Sequence, residues 1–278
     1  MRTIAIANQK GGCGKTTTAV NLSAALAMAQ KRVLLIDLDP QGHATLAFGY
    51  EPRAIDKTVY NVLVEPDFGI RRAILDTRIE WLDLVASNVL LSGAELELAS
   101  LPRREFVLSE RIESVGNDYD ICVIDCPPSL GLLTLNALLA STDVIVPVQA
   151  HYYAMEGLKE LFETAQVVRE RFYPCHVRIM GLLLTLAEDT NIFGRQIQKQ
   201  MRDYFGDLVF KTAIHRTVRL AEAPSAGQSV LTYAPKSRGA FEYTAFAQEV
   251  LSGILKSEPV RRNRYYEVNL PMVGAMRV

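Results

Sequence analysis

The stretch Gln9-Lys10-Gly11-Gly12-Cys13-Gly14-Lys15-Thr16-Thr17 follows a short apolar run, Ile4-Ala5-Ile6-Ala7, and precedes an Ala/Leu-rich run from Thr18 to Ala29. The order predicts strand, glycine loop, helix. A loop built this way turns several backbone N–H groups into one concavity at the positive end of a helix dipole, which suits a polyphosphate. Gly11, Gly12, Cys13, Gly14, Thr16 and Thr17 supply that backbone. Lys15 sets a point charge on the β- and γ-phosphates, and the Thr16 hydroxyl is placed to ligate Mg²⁺. The plainer reading is a glycine-rich turn with incidental lysines; the flanking strand and helix argue against it.

Downstream, Val33-Leu34-Leu35-Ile36 is a continuous apolar run of the kind found in parallel strands buried on both faces. It ends at Asp37-Leu38-Asp39-Pro40-Gln41-Gly42. Carboxylates at the C-terminal end of a parallel strand sit where α/β sheets bind ligands. Asp37 and Asp39, two residues apart, point the same way as long as the strand persists. A lone aspartate in a turn also serves as a cap or an Asx turn. For Asp37, a place in the metal shell and a role in holding the loop are both open. A further strand, Tyr119-Asp120-Ile121-Cys122-Val123-Ile124, ends in Asp125-Cys126-Pro127-Pro128-Ser129. An aspartate closing a buried strand beside such a loop holds Mg²⁺ directly or through water. Pro127 and Pro128 restrict the segment and remove two donors.

The rest of the chain reads as alternating strands and helices. Residues 52–80 read as short helices and turns, and Trp81 to Ala86 as a strand. Helices are expected over Leu90 to Leu101, Arg103 to Val115, Leu130 to Ala140, Ala154 to Arg171, 190–205 and 237–256, and strands over Asp143 to Val148 and Val177 to Leu186. This is an α/β fold, a mainly parallel twisted sheet with helices on both faces. Residues 1–256 form one domain and 257–278 a tail, disordered or docked on a partner.

The loop departs from the general G-x-x-x-x-G-K-[ST] pattern: Gln9 stands at the first glycine, and a second lysine, Lys10, opens the loop. The pattern K-G-G-x-G-K-[ST]-T resembles the deviant Walker A box of the ParA/MinD group of P-loop ATPases. D-x-D-P-Q-G at Asp37–Gly42 and D-x-P-P-S at Asp125–Ser129 resemble the two switch segments of ParA/Soj-type partition ATPases. The blocks from Val146 (V-P-V-Q) and Val218 (V-R-L-A-E-A-P-S) follow the same family. The resemblance spans about residues 1–255. It implies Mg-dependent ATP hydrolysis with Lys10, Lys15 and Asp39 catalytic, Asp39 orienting or deprotonating the attacking water. It implies Thr16, Asp39 and Asp125 around the metal, and Pro127 and Arg216 among the nucleotide contacts. Lys10 would reach across a two-fold axis to the partner's ATP, so the ATP state would be a homodimer. Where the family has I-P-R-N, this chain has Ile214-His215-Arg216-Thr217, which bears on the adenine contacts. His215 reads as a loop residue.

Composition sets the remaining bounds. The net charge of −1 excludes a globally basic nucleic-acid binder, and 49% hydrophobic residues supply a full core. The N-terminus enters a strand at once, without a signal peptide. The four cysteines fit neither a disulfide framework nor a zinc site, which points to a reducing, cytoplasmic compartment. Cys122 and Cys126 read as small buried apolar residues; Cys13 reads as inert, with oxidation the alternative if the loop lowers its pKa. Residues 190–240 carry eight Lys/Arg against three Asp/Glu, either a polyanion footprint or a solvated surface.

Arg219 matches a family arginine implicated in DNA binding, and Arg195, Lys199, Arg202, Lys236 and Arg238 are further candidates. Asp189 stands where the family has a second such arginine. By resemblance the protein binds DNA non-specifically on the nucleoid, answers to a ParB-like stimulating partner, and positions a chromosome, plasmid or other cargo. The alternatives are a MinD-like membrane switch, for which the tail lacks a clean amphipathic stripe, and a nucleoid-using positioner of a protein cargo.

Overall fold

The computed structural model describes residues 1–149, 177–189 and 192–256, with residues 163, 166, 167 and 170–172 between the first two stretches. The helix expected over Ala154 to Arg171 lies largely outside the described residues, and the tail 257–278 wholly so. In chain order the strands are β1 (Arg2–Ile6), β2 (Val33–Asp37), β3 (Ile74–Asp76), β4 (Leu82–Val85), β5 (Ile121–Asp125), β6 (Asp143–Gln149), β7 (Arg178–Ala187) and β8 (Val209–His215). The helices are α1 (Lys15–Met28), α2 (His43–Leu46), α3 (Val59–Val64), α4 (Leu91–Leu98), α5 (Val107–Glu113), α6 (Leu132–Ala140), α7 (Ile192–Phe205), α8 (Val218–Glu222), α9 (Val230–Tyr233) and α10 (Arg238–Lys256).

The strands form one sheet in the order β3-β4-β2-β5-β1-β6-β7-β8, parallel except for β3. Side chains alternate across a strand, and the two cores follow that period. Leu34, Ile36, Cys122 and Ile124 face one core with α3 to α7; Val33, Leu35, Ile121 and Val123 face the other with α1, α2, α9 and α10. Continuous apolar runs are needed because both faces of these strands are covered. A buried contact between Thr18 Oγ1 and the Tyr243 hydroxyl, 3.3 Å, stitches α1 to α10.

Several expectations shift. Residues 52–80 include β3, paired antiparallel to β4 through Ile74↔Val85, Leu75↔Leu84 and Asp76↔Asp83. Three residues are too few to show a period, and the strand is fixed by the open edge of β4. The helix expected from Arg103 begins at Val107; Arg103 has φ +57°, a left-handed conformation that an α-helix does not continue through. The strand carrying Asp37 stops there, so Asp39 lies in the following turn rather than on the same strand face. No helix among the described residues is long and apolar enough to cross a membrane.

Candidate functional site

The register aligns Ile6 with Asp125 and Asp37 with Asp125, so the ends of β1, β5 and β2 lie side by side at the sheet's C-terminal edge. The chain leaves β1 through Asn8. Its Nδ2 donates to the Pro147 carbonyl at 2.7 Å, and its Oδ1 accepts from the Lys10 amide at 3.0 Å. Gly12 and Gly14 take φ of +71° and +87°, a region open to glycine at little cost. Gly14 precedes α1 and brings no side-chain cap, and the first turn of α1 holds no acidic residue. The orphan N–H groups of this helix start therefore remain available to an anion.

Lys15 is 93% buried, with only 7% of its surface exposed, and its ammonium donates to the Lys10 carbonyl at 2.9 Å. The Cys13 thiol donates to the same oxygen at 3.2 Å. Burial pushes the Cys13 thiol up, against the opposing pull of Lys15. It is a packed, protonated side chain, in line with the inert reading. Lys10 itself is exposed at the mouth of the loop. On the far side, the hydroxyl of Thr185 in β7 donates to the Cys13 carbonyl at 2.7 Å.

Three carboxylates sit beneath the loop. Asp37 is fully buried and accepts from the Thr45 amide (2.8 Å), the Thr45 hydroxyl (2.7 Å) and the Asp39 amide (3.2 Å). Burial raises its pKa to about 6, with those hydrogen bonds opposing. These contacts show Asp37 holding the turn that carries Asp39. Asp39 accepts from the Gln41 amide at 2.9 Å, an Asx-type turn.

Asp125 differs from both. It is fully buried, and neither carboxylate oxygen has a hydrogen-bond partner. Burial first, then the nearby Asp37 charge, hold its pKa well above the ordinary range. The Thr16 hydroxyl lies near enough to oppose this without reaching hydrogen-bond geometry. An orphaned buried carboxylate beside a hydroxyl fits Mg²⁺, which takes one or two protein ligands and fills its octahedron with water and phosphate oxygens. Pro127 is buried two residues beyond, and Arg216 is exposed just past β8, its amide bonded to Ala187 O at 3.3 Å.

His215 is not a loop residue. It closes β8, and its ring lies between Asp189 (Nε2 to Oδ2, 2.6 Å) and Glu242 (Nδ1 to Oε1, 2.6 Å). Arg238 joins the same two carboxylates at 2.9 and 2.6 Å. Arg238 and His215 hold the Asp189 carboxyl down to about 2. Arg195 donates to the Asp189 carbonyl at 2.6 Å. Asp189 therefore gathers Arg195 and Arg238, two of the candidate DNA residues. Arg219 pairs with Glu222 at 2.7 Å and lines, with Lys236, a shallow concavity of about 370 Å³. Arg202 is spent on the Phe210 and Lys211 carbonyls at 2.8 and 3.1 Å, so it braces β8. Lys199 is exposed on α7.

A glycine loop leaving the central parallel strand, with a buried carboxylate closing the next one, defines a P-loop ATPase fold. Residues 1–178 match the family described as AAA domain. The sporulation initiation inhibitor protein Soj of Bacillus subtilis is 48% identical over 247 residues, covering 89% of this chain and 97% of Soj. The chromosome partitioning protein ParA of Myxococcus xanthus is 41% identical over 261 residues, 94% of this chain and 92% of ParA. A Mycobacterium smegmatis structure described as cobyrinic acid a,c-diamide synthase with bound ADP and magnesium superposes with a TM-score of 0.80 at 35% identity, covering 92% of this chain and 96% of that one. The cell division ATPase MinD of Pyrococcus furiosus, at 24% identity over 90% of this chain and 98% of its own, has a TM-score of 0.73 and shows the fold alone. The chain belongs to the ParA/Soj-type ATPases.

Four supporting residues lie outside the motifs that the sequence marks. Thr185 and Asn8 hold the loop from β7 and from the end of β1. Asn21 on α1 accepts from the Val230 amide at 2.8 Å and so caps α9. Glu95 on α4 accepts from the Leu133 amide at 3.2 Å, at the start of α6 just after the Asp125 segment. Only a polar residue interrupting an apolar strand, as Thr185 does, offered a hint.

Proposed function

We propose that the protein is an ATP-driven switch that dimerises around Mg-ATP, holds DNA in that state, and positions a chromosome, plasmid or other large cargo. The observation that carries the nucleotide half is the partnerless buried carboxylate of Asp125 beneath an uncapped helix start. The backbone from Gly11 to Thr17 cradles the phosphates, and Lys15 exchanges the Lys10 carbonyl for a phosphate oxygen. Thr16 and Asp125, with Asp39 nearby, hold Mg²⁺, which neutralises charge on the phosphates. Asp39, kept in place by Asp37 through its amide, orients the attacking water. Pro127 and Arg216 flank the nucleotide.

Lys15 already serves the phosphates of its own subunit, so an exposed second cation at the loop mouth fits a neighbour's. That is the role of Lys10: the nucleotide bridges two subunits across an isologous interface, and hydrolysis removes the bridge. Two basic surfaces brought together, with Arg219 and Lys236 lining one concavity and Arg195 and Arg238 around Asp189, grip a duplex more strongly than one. Binding through phosphates is sequence-independent and falls steeply with salt. The name of one relative, a chromosome partitioning protein, supports work on a chromosome; the reading adds a ParB-like stimulating partner and a place on the nucleoid in the cytoplasm. The test is titration of Mg-ATP into wild type and Lys15→Ala by calorimetry. Binding should be lost in the variant; wild-type affinity in Lys15→Ala would mean the loop is misread.

A further inference from the structure

We infer that Thr185 is a positioning residue for the phosphate loop, an assignment that rests on the nucleotide reading above. Thr185 lies in β7, outside the span matched by the family, and is separated by 172 residues from the loop it touches. It is 2% exposed, and its hydroxyl donates to the Cys13 carbonyl at 2.7 Å. A loop that presents N–H groups to an anion must send the matching carbonyls the other way, and a buried carbonyl needs a donor. Thr185 is that donor for the peptide leading into Gly14. Its Cβ and Cγ2 lie 3.7 Å from where a Cβ on Gly14 would stand, so the rest of the side chain packs beside the residue before α1.

The backbone of β7 is irregular beside this contact. Leu186, the next residue, has φ +50°, which a branched side chain rarely adopts. The β7–β8 register shifts between Leu184 and Ala187, across this same residue. A bulge beside a site re-aims a side chain, and local strain of this kind collects where function over-determines the backbone. The aimed side chain here is Thr185. Its hydroxyl keeps the Cys13–Gly14 peptide from flipping, and so keeps the neighbouring N–H groups on the phosphates.

The experiment compares wild type, Thr185→Val and Thr185→Ser for binding of ATP, ADP and AMP by calorimetry, with melting of each nucleotide-free protein. Valine keeps the shape and removes the donor; serine keeps the donor. Thr185→Val should bind ATP and ADP about tenfold more weakly, as for a buried acceptor left without its partner. AMP, which lacks the phosphates that fill the loop, should bind both proteins alike, and Thr185→Ser should stay within about twofold of wild type. Should Thr185→Val fail to fold, Thr185→Ala against Thr185→Ser makes the same comparison. Wild-type ATP affinity in the valine variant, or equal losses for AMP and ATP, overturns the assignment. A wild-type protein that binds no nucleotide overturns the functional reading as well, and the wild-type arm tells the two failures apart.

Discussion

Replacing Asp125 by asparagine should stabilise the nucleotide-free protein while disabling it. Both oxygens of this carboxylate are buried without a partner, and Asp37 lies opposite in the adjacent strand. An unpaired buried charge costs several kcal/mol even after relaxation. The isosteric amide removes that cost and the repulsion with Asp37, and reintroduces roughly 1–3 kcal/mol for donors left unmet. The net gain for Asp125→Asn is about 1–3 kcal/mol, or roughly 2–12 °C in Tm for a chain of this size. Thermal melts in EDTA read this directly. Adding Mg-ATP should reverse the order. A ligand at a hundredfold excess over its Kd adds about 2.7 kcal/mol to wild type, and much less to a variant that has lost a magnesium ligand. A variant that melts below wild type in EDTA, or gains as much from Mg-ATP, refutes the claim that this carboxylate is held in reserve for a cation.

Gly227 has φ +63°, and a Cβ there would stand 2.7 Å from the Cα of Gly49. Gly227→Ala should cost about 2–4 kcal/mol, combining the left-handed penalty with a forced backbone shift. Gly206→Ala, at φ +54° with nothing near, should cost only about 1 kcal/mol in chemical denaturation. Equal losses would remove the close approach from the argument. The Asp189 carboxyl is held at about 2, below its unfolded value of 3.8. Its contribution is therefore present above about pH 4 and fades as pH falls through about 2. Because Asp189 is exposed, Asp189→Asn should cost under about 1 kcal/mol at neutral pH, less in high salt, and nothing once wild type is itself protonated. A difference from wild type that persists undiminished about one pH unit below that value, where the carboxyl is protonated, would rule this out.

The site was legible where its chemistry is contiguous. The glycine loop, the aspartates ending β2 and β5, and the prolines after Asp125 all lie within a few residues of their strands, and buried parallel strands announce themselves as apolar runs. What stayed hidden depends on tertiary pairing. Strand order is set by which faces pack, so the central place of β1 between β5 and β6 has no mark in the sequence. His215 looked like a loop residue because its two carboxylate partners come from the end of β7 and from α10. The charge count of the basic region leaves a polyanion footprint and a solvated surface both open; the structure shows Arg202 engaged with β8 carbonyls and Arg238 with Asp189 and Glu242. Charge counting along the chain cannot see which cations are already answered.

The central claim is that a nucleotide joins two subunits through Lys10. Sedimentation of the Asp39→Ala protein with Mg-ATP, alone and combined with Lys10→Ala, tests it most directly. The account predicts a dimer, twice the 30.9 kDa chain, for Asp39→Ala and a monomer for the double variant. A monomer in both, or a dimer that persists without Lys10, would contradict it.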